Sequence, residues 1–190
     1  TKALNAEFLG LSGSLAILSS VGEISVMAGA YANFLQSKER AGVERAVMAN
    51  TFAKDAFGDG MFNKFKSLVT VQDTYMDVFT GLANDSQKEF YTNTMKGEAI
   101  DETKRMRAVA QEYASMGGFN VDAGHWFKMQ TAKIGLLKKV ENKLSLDLTE
   151  KSSELMAAAK TNFRNSLLLA LISLAITIFF AVYFVRVILI

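Results

Sequence analysis

The sequence predicts an all-α protein, an up-down-up-down helical bundle with long first and last helices, the last continuing into a transmembrane span. The chain of 190 residues contains nine Met and no Pro, and Pro is the strongest helix breaker. Apolar residues recur three or four positions apart along most of the chain, which is the period of one helix face. Near the C-terminus lie about 20 consecutive uncharged residues, enough to cross a bilayer as a helix.

The composition excludes several classes of function. The net charge is +2 and basic residues alternate with acidic ones, so no electrostatic argument favours nucleic acid. The chain has no Cys, which excludes disulfides, thiol catalysis and Cys-based metal sites. We find no Gly-rich phosphate loop, metal-spaced cluster or nucleophile triad. We therefore predict no catalytic residues, no metal and no cofactor.

The first predicted helix runs from the first few residues to about Phe57, where the sequence F-G-D-G indicates a turn. Its N-terminal half carries an apolar stripe at helical spacing: Leu4, Phe8, Leu11, Leu15, Leu18, Ile24 and Met27.

A second helix begins at Met61 and carries Gln72 within its apolar stripe. The sequence G-L-A-N-D-S ends this helix, and Asp85 or Ser86 is a candidate N-cap for the next one. The third segment is less regular. It divides into a short helix and a second piece, with a weak point between Lys96 and Glu98.

The last helix begins after Gly117 and Gly118, with Asp122 as its candidate cap. Its apolar seam contains Glu141 and continues without a strong breaker into the uncharged stretch from Ser166 to Val185. We therefore expect a helical domain over residues 1–165 and a transmembrane helix over residues 166–190. Both long helices would point towards the membrane, and a further span before Thr1 would give the layout of a bacterial transmembrane sensor. We expect the chain to be a fragment without its output domain.

Two motifs carry a family resemblance. The first is Y-A-N-F-L-Q-S-K-E-R-A-G-V-E-R-A (Tyr31 to Ala46), followed by A-N-T-F-A. The second is W-F-K-M-Q-T-A-K-I-G-L-L-K-K-V-E-N-K-L (Trp126 to Leu144). Both resemble helices of the nitrate- and nitrite-sensing (NIT) domain, in the same order, and together they imply that the family covers most of the chain before the span.

The resemblance implies an extracytoplasmic, periplasmic sensor domain of a bacterial receptor in the inner membrane. Such domains are commonly attached to methyl-accepting chemotaxis modules, and also to cyclic-dinucleotide enzymes or histidine kinases. The expected partners are a small anion (nitrate or nitrite), the lipid bilayer and a second copy of the chain in a homodimer. The alternative is a helical dimerisation or interaction module that senses another ligand or a partner protein.

Two cations, Lys38 and Arg45, lie near the centre of one predicted apolar face of the first helix. Burying an unpaired charge costs several kcal/mol, so each needs a partner, an anion or a route to water. Nitrate offers only acceptors and needs donors. Arg45 is therefore the first candidate to bind the anion. Lys38, two turns away on the same face, and Gln72 of the second helix are the further candidates. A buried pair of Arg45 with Glu141 as structural counter-charge is the open alternative, and Lys38 could extend to the surface.

Arg40 lies on the opposite face of the same predicted helix. This face could form a homodimer interface, with an anion between two Arg40 side chains. The alternative is an exposed ion pair of Arg40 with Glu44 at i,i+4. His125 and Trp126, at the start of the last helix, are expected to form a packing cap rather than a metal site.

Overall fold

The computed structural model describes the backbone of residues 2–188 and the side chains of residues 22–188. Over this range it contains α-helices and no strand. The helices are α1 (Lys2–Ala53), α2 (Met61–Leu82), α3 (Asp85–Thr94), α4 (Glu98–Glu112) and α5 (Ala123–Ile188). The all-α prediction is confirmed, including the long first and last helices and the division of the third segment into two pieces. The predicted stripe from Leu4 to Leu18 lies outside the described side chains.

Between neighbouring helices, residues early in one helix contact residues late in the other. This order of contacts establishes an antiparallel bundle. From α1 to α2, Phe34 packs on Phe79 with ring centroids 5.1 Å apart, and Glu44 accepts from Gln72 at 2.9 Å. The same descending order relates α1 to α5, through Lys38 with Glu141 and Phe52 with Trp126. It also relates α3 and α4 to α5, through Gln87 with Asp147 and Glu102 with His125. The short helices α3 and α4 together therefore take the third position.

The buried face of α1 follows a heptad pattern and differs from the face that we predicted. Its buried positions alternate in steps of four and three: Ala30, Phe34, Ser37, Ala41, Glu44, Met48 and Thr51. The predicted face, centred on Lys38 and Arg45, lies to one side of this seam. Both cations are half-buried on its flank. The prediction was wrong because it left out Ser37, Ala41 and Glu44, and small residues such as Ser37 and Ala41 mark where neighbouring helices approach.

Apolar side chains form two core clusters along the bundle. One surrounds Trp126 near the turn between α1 and α2, and the other surrounds Phe34 and Phe79 near the turn between α2 and α3. Both contain edge-to-face aromatic pairs, a geometry worth about 0.5–1.5 kcal/mol beyond the buried area. Three buried polar residues, Glu44, Gln72 and Gln130, lie between the two clusters.

Two helix starts are fixed by side-chain caps. Asn84 caps α3 in a capping box, in which its side chain accepts from the Gln87 backbone and Gln87 accepts from the Asn84 backbone. The predicted caps, Asp85 and Ser86, instead lie inside the first turn of α3. Asp122 caps α5 as predicted, accepting from the His125 backbone at 2.6 Å.

The chain divides into two compact units, residues 1–148 and residues 149–190. Within the described residues, one helix is long and apolar enough to cross a membrane. It is α5, in which an 18-residue stretch has a mean hydropathy of 2.7 and none of it is buried. This agrees with a span in the predicted region. The predicted domain division between residues 165 and 166 stays a prediction.

Candidate functional site: a cation-lined cavity

A fully buried carboxylate lies at the centre of the bundle. Glu44 of α1 is 0% exposed, and its two oxygens accept from Nε and Nη2 of Arg107 on α4 at 2.6 and 2.5 Å. The Arg107 side chain is 15% exposed. A charge this deeply buried is tolerated only with a paired and hydrogen-bonded partner. The bidentate pair therefore explains how an acidic residue occupies the heptad seam of α1.

Two glutamines complete the shell around Glu44. Gln72 of α2 donates to Glu44 at 2.9 Å and accepts from Arg107 at 3.0 Å. Gln130 of α5 donates to Glu44 and to the backbone oxygen of Ala41, both at 3.1 Å. Among the described residues, the buried Oε1 atom of Gln130 has no donor. The network joins four helices through polar groups, and the presence of Gln72 in an apolar stripe is explained by it.

A cavity of about 280 Å³ opens beside this network, between α2, α3, α4 and α5. A water molecule occupies about 30 Å³ in the liquid, so the cavity has room for a small anion with several waters. Three cations, one carboxylate and several hydroxyls line it, together with apolar groups: Lys104, Arg107, Lys133, Asp73, Tyr91, Thr92, Thr103, Met95 and Ile100. A second cavity of about 80 Å³ shares five of these residues and extends to Ser37 and Gln72.

Lys133 is the cation with the most unusual environment. It is half-buried on α5, and its amine forms no hydrogen bond or ion pair with any residue that the structure describes. Burial and the neighbouring charge of Arg107 lower the pKa of Lys133 to about 8, with Lys104 acting in the same direction. Glu44 and Asp73 oppose this shift. A positive group is therefore held in a partly dry cavity without a direct ion pair to a described residue.

Tyr91 of α3 lies in the same cavity as Lys133. Burial, and secondarily the charge of Asp73, raise the pKa of the Tyr91 hydroxyl. Tyr91 therefore stays a neutral donor at physiological pH. Together with Lys133 and Arg107, it gives the cavity the donor character that an acceptor-only anion requires.

Glu141 pairs with Lys38 and Lys138, not with Arg45. The predicted alternative of an Arg45–Glu141 pair was therefore wrong. Burial alone would raise the pKa of Glu141, but hydrogen bonds from Lys138 and Lys38 outweigh it and lower the pKa. Lys38 thus has its charge satisfied within the bundle, and it does not line the cavity.

Arg45 lies on the side of α1 that faces the start of α5. Its Nη1 atom donates to Thr131 at 3.0 Å, and its guanidinium lies 4.7 Å from the centre of the Phe127 ring. Its backbone oxygen accepts from Nε1 of Trp126 at 3.0 Å. Trp126 is fully buried, in keeping with the expected packing cap. Arg45 is not among the residues that line the cavity, and its role in anion binding stays a prediction.

Arg40 packs against α2. It donates to Gln36, pairs with the exposed Glu39 at 3.3 Å and stacks on Tyr75 at 5.4 Å. Its expected partner Glu44 is instead buried with Arg107, so that alternative was wrong. A two-fold anion site between two Arg40 residues stays a prediction.

Sequence reasoning missed Arg107, Lys104 and Lys133. The sequence of α4 contains a signal for Arg107, because Arg107 lies beside the buried face formed by Thr103, Met106 and Ala110. A similar signal exists in α5, where Lys133 lies between Gln130 and Leu137. Neither position identifies a site alone, because the cavity arises only where α2, α3, α4 and α5 pack together.

The fold and the cavity define an all-helical domain with a cation-lined space between its helices. Residues 2–149 match the model of the family described as "Nitrate and nitrite sensing", and the chain belongs to this family. The chain is 30% identical over 125 residues to a nitrate regulatory protein of Klebsiella oxytoca. This alignment covers 65% of the chain and 31% of that protein. The matched region is thus about a third of that relative's length. No solved structure matches the chain.

Proposed function

We propose that this chain is the extracytoplasmic sensor domain of a bacterial transmembrane receptor and that its cavity binds nitrate or nitrite. The family's sensing role and the nitrate regulatory relative support the ligand class. The cavity between α2, α3, α4 and α5 supports the location of the site. The role is that of a sensor rather than an enzyme, and a chemotaxis module is the output that we favour.

The unpaired amine of Lys133 is the observation that carries the proposal. Arg107 already forms an ion pair with Glu44, whereas Lys133 forms no ion pair with any described residue. A bound anion would neutralise Lys133 and accept from the free Nη1 side of Arg107, since Glu44 and Gln72 engage only Nε and Nη2. Charge-assisted hydrogen bonds of this kind are about twice as strong as neutral ones.

The continuous helix α5 supports a transmembrane role. Lys133 and the apolar segment belong to the same helix, Ala123–Ile188. We infer that the segment crosses the inner membrane and that a ligand-dependent shift of α5 carries the signal. A ligand can shift such an equilibrium only through its different affinities for the two states, and neutralising a buried cation provides that difference.

The test is a titration of the full chain in detergent micelles with nitrate, nitrite, chloride and sulfate at matched ionic strength. Binding is measured by calorimetry and by the change in unfolding temperature. At about 100 times the dissociation constant, a ligand that binds only the folded state adds roughly 2.7 kcal/mol of stability. We expect this gain with nitrate or nitrite, and its loss in Lys133→Met.

The matched control is Lys139→Met, which removes the same charge from an exposed position of the same helix. It should bind nitrate like the wild type. If Lys133→Met folds and binds nitrate as tightly as Lys139→Met, the cavity is not the site. Arg45→Met and Arg40→Met then test the two sequence-based locations. If no variant and no anion gives a selective effect, the chain acts as a helical interaction module instead.

A further inference from the structure

Asp73 is out of place in a cavity that binds anions. It lines both the larger and the smaller cavity, alongside Arg107 and Lys133. Its carboxylate forms no hydrogen bond or ion pair with a residue that the structure describes. It is exposed, whereas Lys133 is half-buried. A carboxylate at the open side of the cavity therefore repels every anion that enters.

The charge balance of the cavity suits one negative charge. Lys104, Arg107 and Lys133 supply three positive charges, and Asp73 supplies one negative charge from the wall. Glu44 supplies a second negative charge from behind Arg107. One positive charge is left for a ligand to neutralise. A monovalent anion closes this balance, whereas a divalent anion leaves an excess negative charge in a partly dry space.

We propose that Asp73 is a specificity-determining residue that restricts the cavity to monovalent anions and rejects divalent anions of similar size, such as sulfate. This inference rests on the proposed function of the cavity. Removing the carboxylate would leave two positive charges for the ligand, which is the balance that a divalent anion requires. Asp73 thus contributes by repulsion, a common source of specificity in binding sites.

Coulomb's law gives the relative effect of Asp73 on two anions in the same site, and the distance cancels from this comparison. The repulsion between Asp73 and a ligand is proportional to the ligand's charge. The free energy gained when the carboxylate is removed is therefore twice as large for a divalent as for a monovalent anion. Because affinity depends exponentially on free energy, the fold-gain for sulfate should be the square of the fold-gain for nitrate. A gain of about threefold for nitrate would accompany about ninefold for sulfate.

The experiment measures nitrate and sulfate affinities of the full chain in detergent micelles at constant ionic strength. Asp73→Asn removes the charge with little change of shape, and Asp73→Glu keeps the charge. Asp77→Asn is the matched control, because Asp77 is exposed one turn further along α2 and does not line the cavity. We expect Asp73→Asn to raise the sulfate-to-nitrate affinity ratio. Asp73→Glu and Asp77→Asn should keep it close to the wild-type value.

Two results overturn the inference. One is an unchanged sulfate-to-nitrate ratio in a folded Asp73→Asn variant while the wild type binds nitrate. The other is loss of nitrate binding in Asp73→Asn with retention in Asp77→Asn, which would make Asp73 a positioning residue. These results differ from a failure of the proposed function, in which the wild type binds nitrate no better than chloride or Lys133→Met leaves nitrate binding unchanged.

Discussion

Glu44→Gln removes the charge at the centre of the bundle and preserves the shape of the side chain. The carboxylate is 0% exposed, and its partner Arg107 is 15% exposed. Breaking a buried ion pair by removing one partner costs about 3–5 kcal/mol. Arg107 keeps some contact with water and keeps the oxygen of Gln72 as an acceptor, so we expect the lower end, about 3 kcal/mol. For a chain of 150–250 residues this lowers the unfolding temperature by about 6–12 °C.

The assay is thermal unfolding of the full chain in detergent micelles, followed by far-UV circular dichroism without nitrate or nitrite. Glu39→Gln is the matched control, because Glu39 is on the same helix, is 71% exposed and pairs, among the described residues, with Arg40 at 3.3 Å. An exposed pair of this kind contributes about 0–1 kcal/mol. The control should therefore unfold close to the wild type.

A double-mutant cycle with Arg107→Met isolates the pair itself. When both charges are removed, no unpaired ion remains. The double variant should therefore lose about 1–3 kcal/mol less stability than the two single variants lose together. Two results would contradict a buried ion pair of Glu44 with Arg107. In one, Glu44→Gln unfolds like Glu39→Gln; in the other, the effects of Glu44→Gln and Arg107→Met simply add. Either result would mean that water, not Arg107, compensates the charge of Glu44.

Two further predictions concern Lys133 and the turn before α5. Because the pKa of Lys133 falls to about 8 from an ordinary 10.5, the unfolded chain binds one more proton between these values, and this residue's contribution to stability rises with pH there. Nitrate affinity should instead fall about tenfold per pH unit above the pKa, since binding needs the protonated amine; calorimetry at several pH values checks this, and equal affinity at all pH values would contradict it. Gly117→Ala should destabilise more than Gly118→Ala. Both have positive φ, which costs a side chain about 1–2 kcal/mol, but only at Gly117 would the added carbon lie 2.9 Å from a backbone oxygen, that of Asp55. Chemical denaturation of both variants compares them, and equal losses would refute the steric argument.

The fold could be predicted because its signals are local. The absence of Pro and the three-to-four spacing indicate helices, and the F-G-D-G turn and the Asp122 cap directly precede α2 and α5. The helix α1 ends at Ala53, four residues before the predicted end at Phe57. The cap of α3 was misplaced by one or two residues, because Asn84, Asp85 and Ser86 are all good cap residues. Only the reciprocal bond with Gln87, a capping box, distinguishes Asn84 from the other two.

The site could not be predicted in the same way because it is not local. In the sequence, Glu44 looks like a surface residue that pairs with Arg40 at i,i+4. Its partner in the structure is Arg107, which belongs to another helix. The choice of face on α1 compounded the error. Lys38 and Arg45 drew attention as inward cations, yet the heptad through Ser37, Ala41 and Glu44 sets the buried seam. Small residues identify a seam as well as large ones do, because they mark where helices approach each other.

Arg107 links the structural network to the proposed site, and this suggests how ligand binding would move a helix. Its Nε and Nη2 atoms hold Glu44 of α1, and none of its hydrogen bonds to described residues uses Nη1. An anion that accepts from Nη1 and from Lys133 would bridge α4 and α5. It would also offset the repulsion from Arg107 that, after burial, lowers the pKa of Lys133. The bridged state would be favoured only when the anion is present, whereas the Glu44 pair would hold α4 against α1 in both states. Under this proposal α5 is the helix whose position depends on ligand, and α5 is also the helix that continues to Ile188 through the apolar segment.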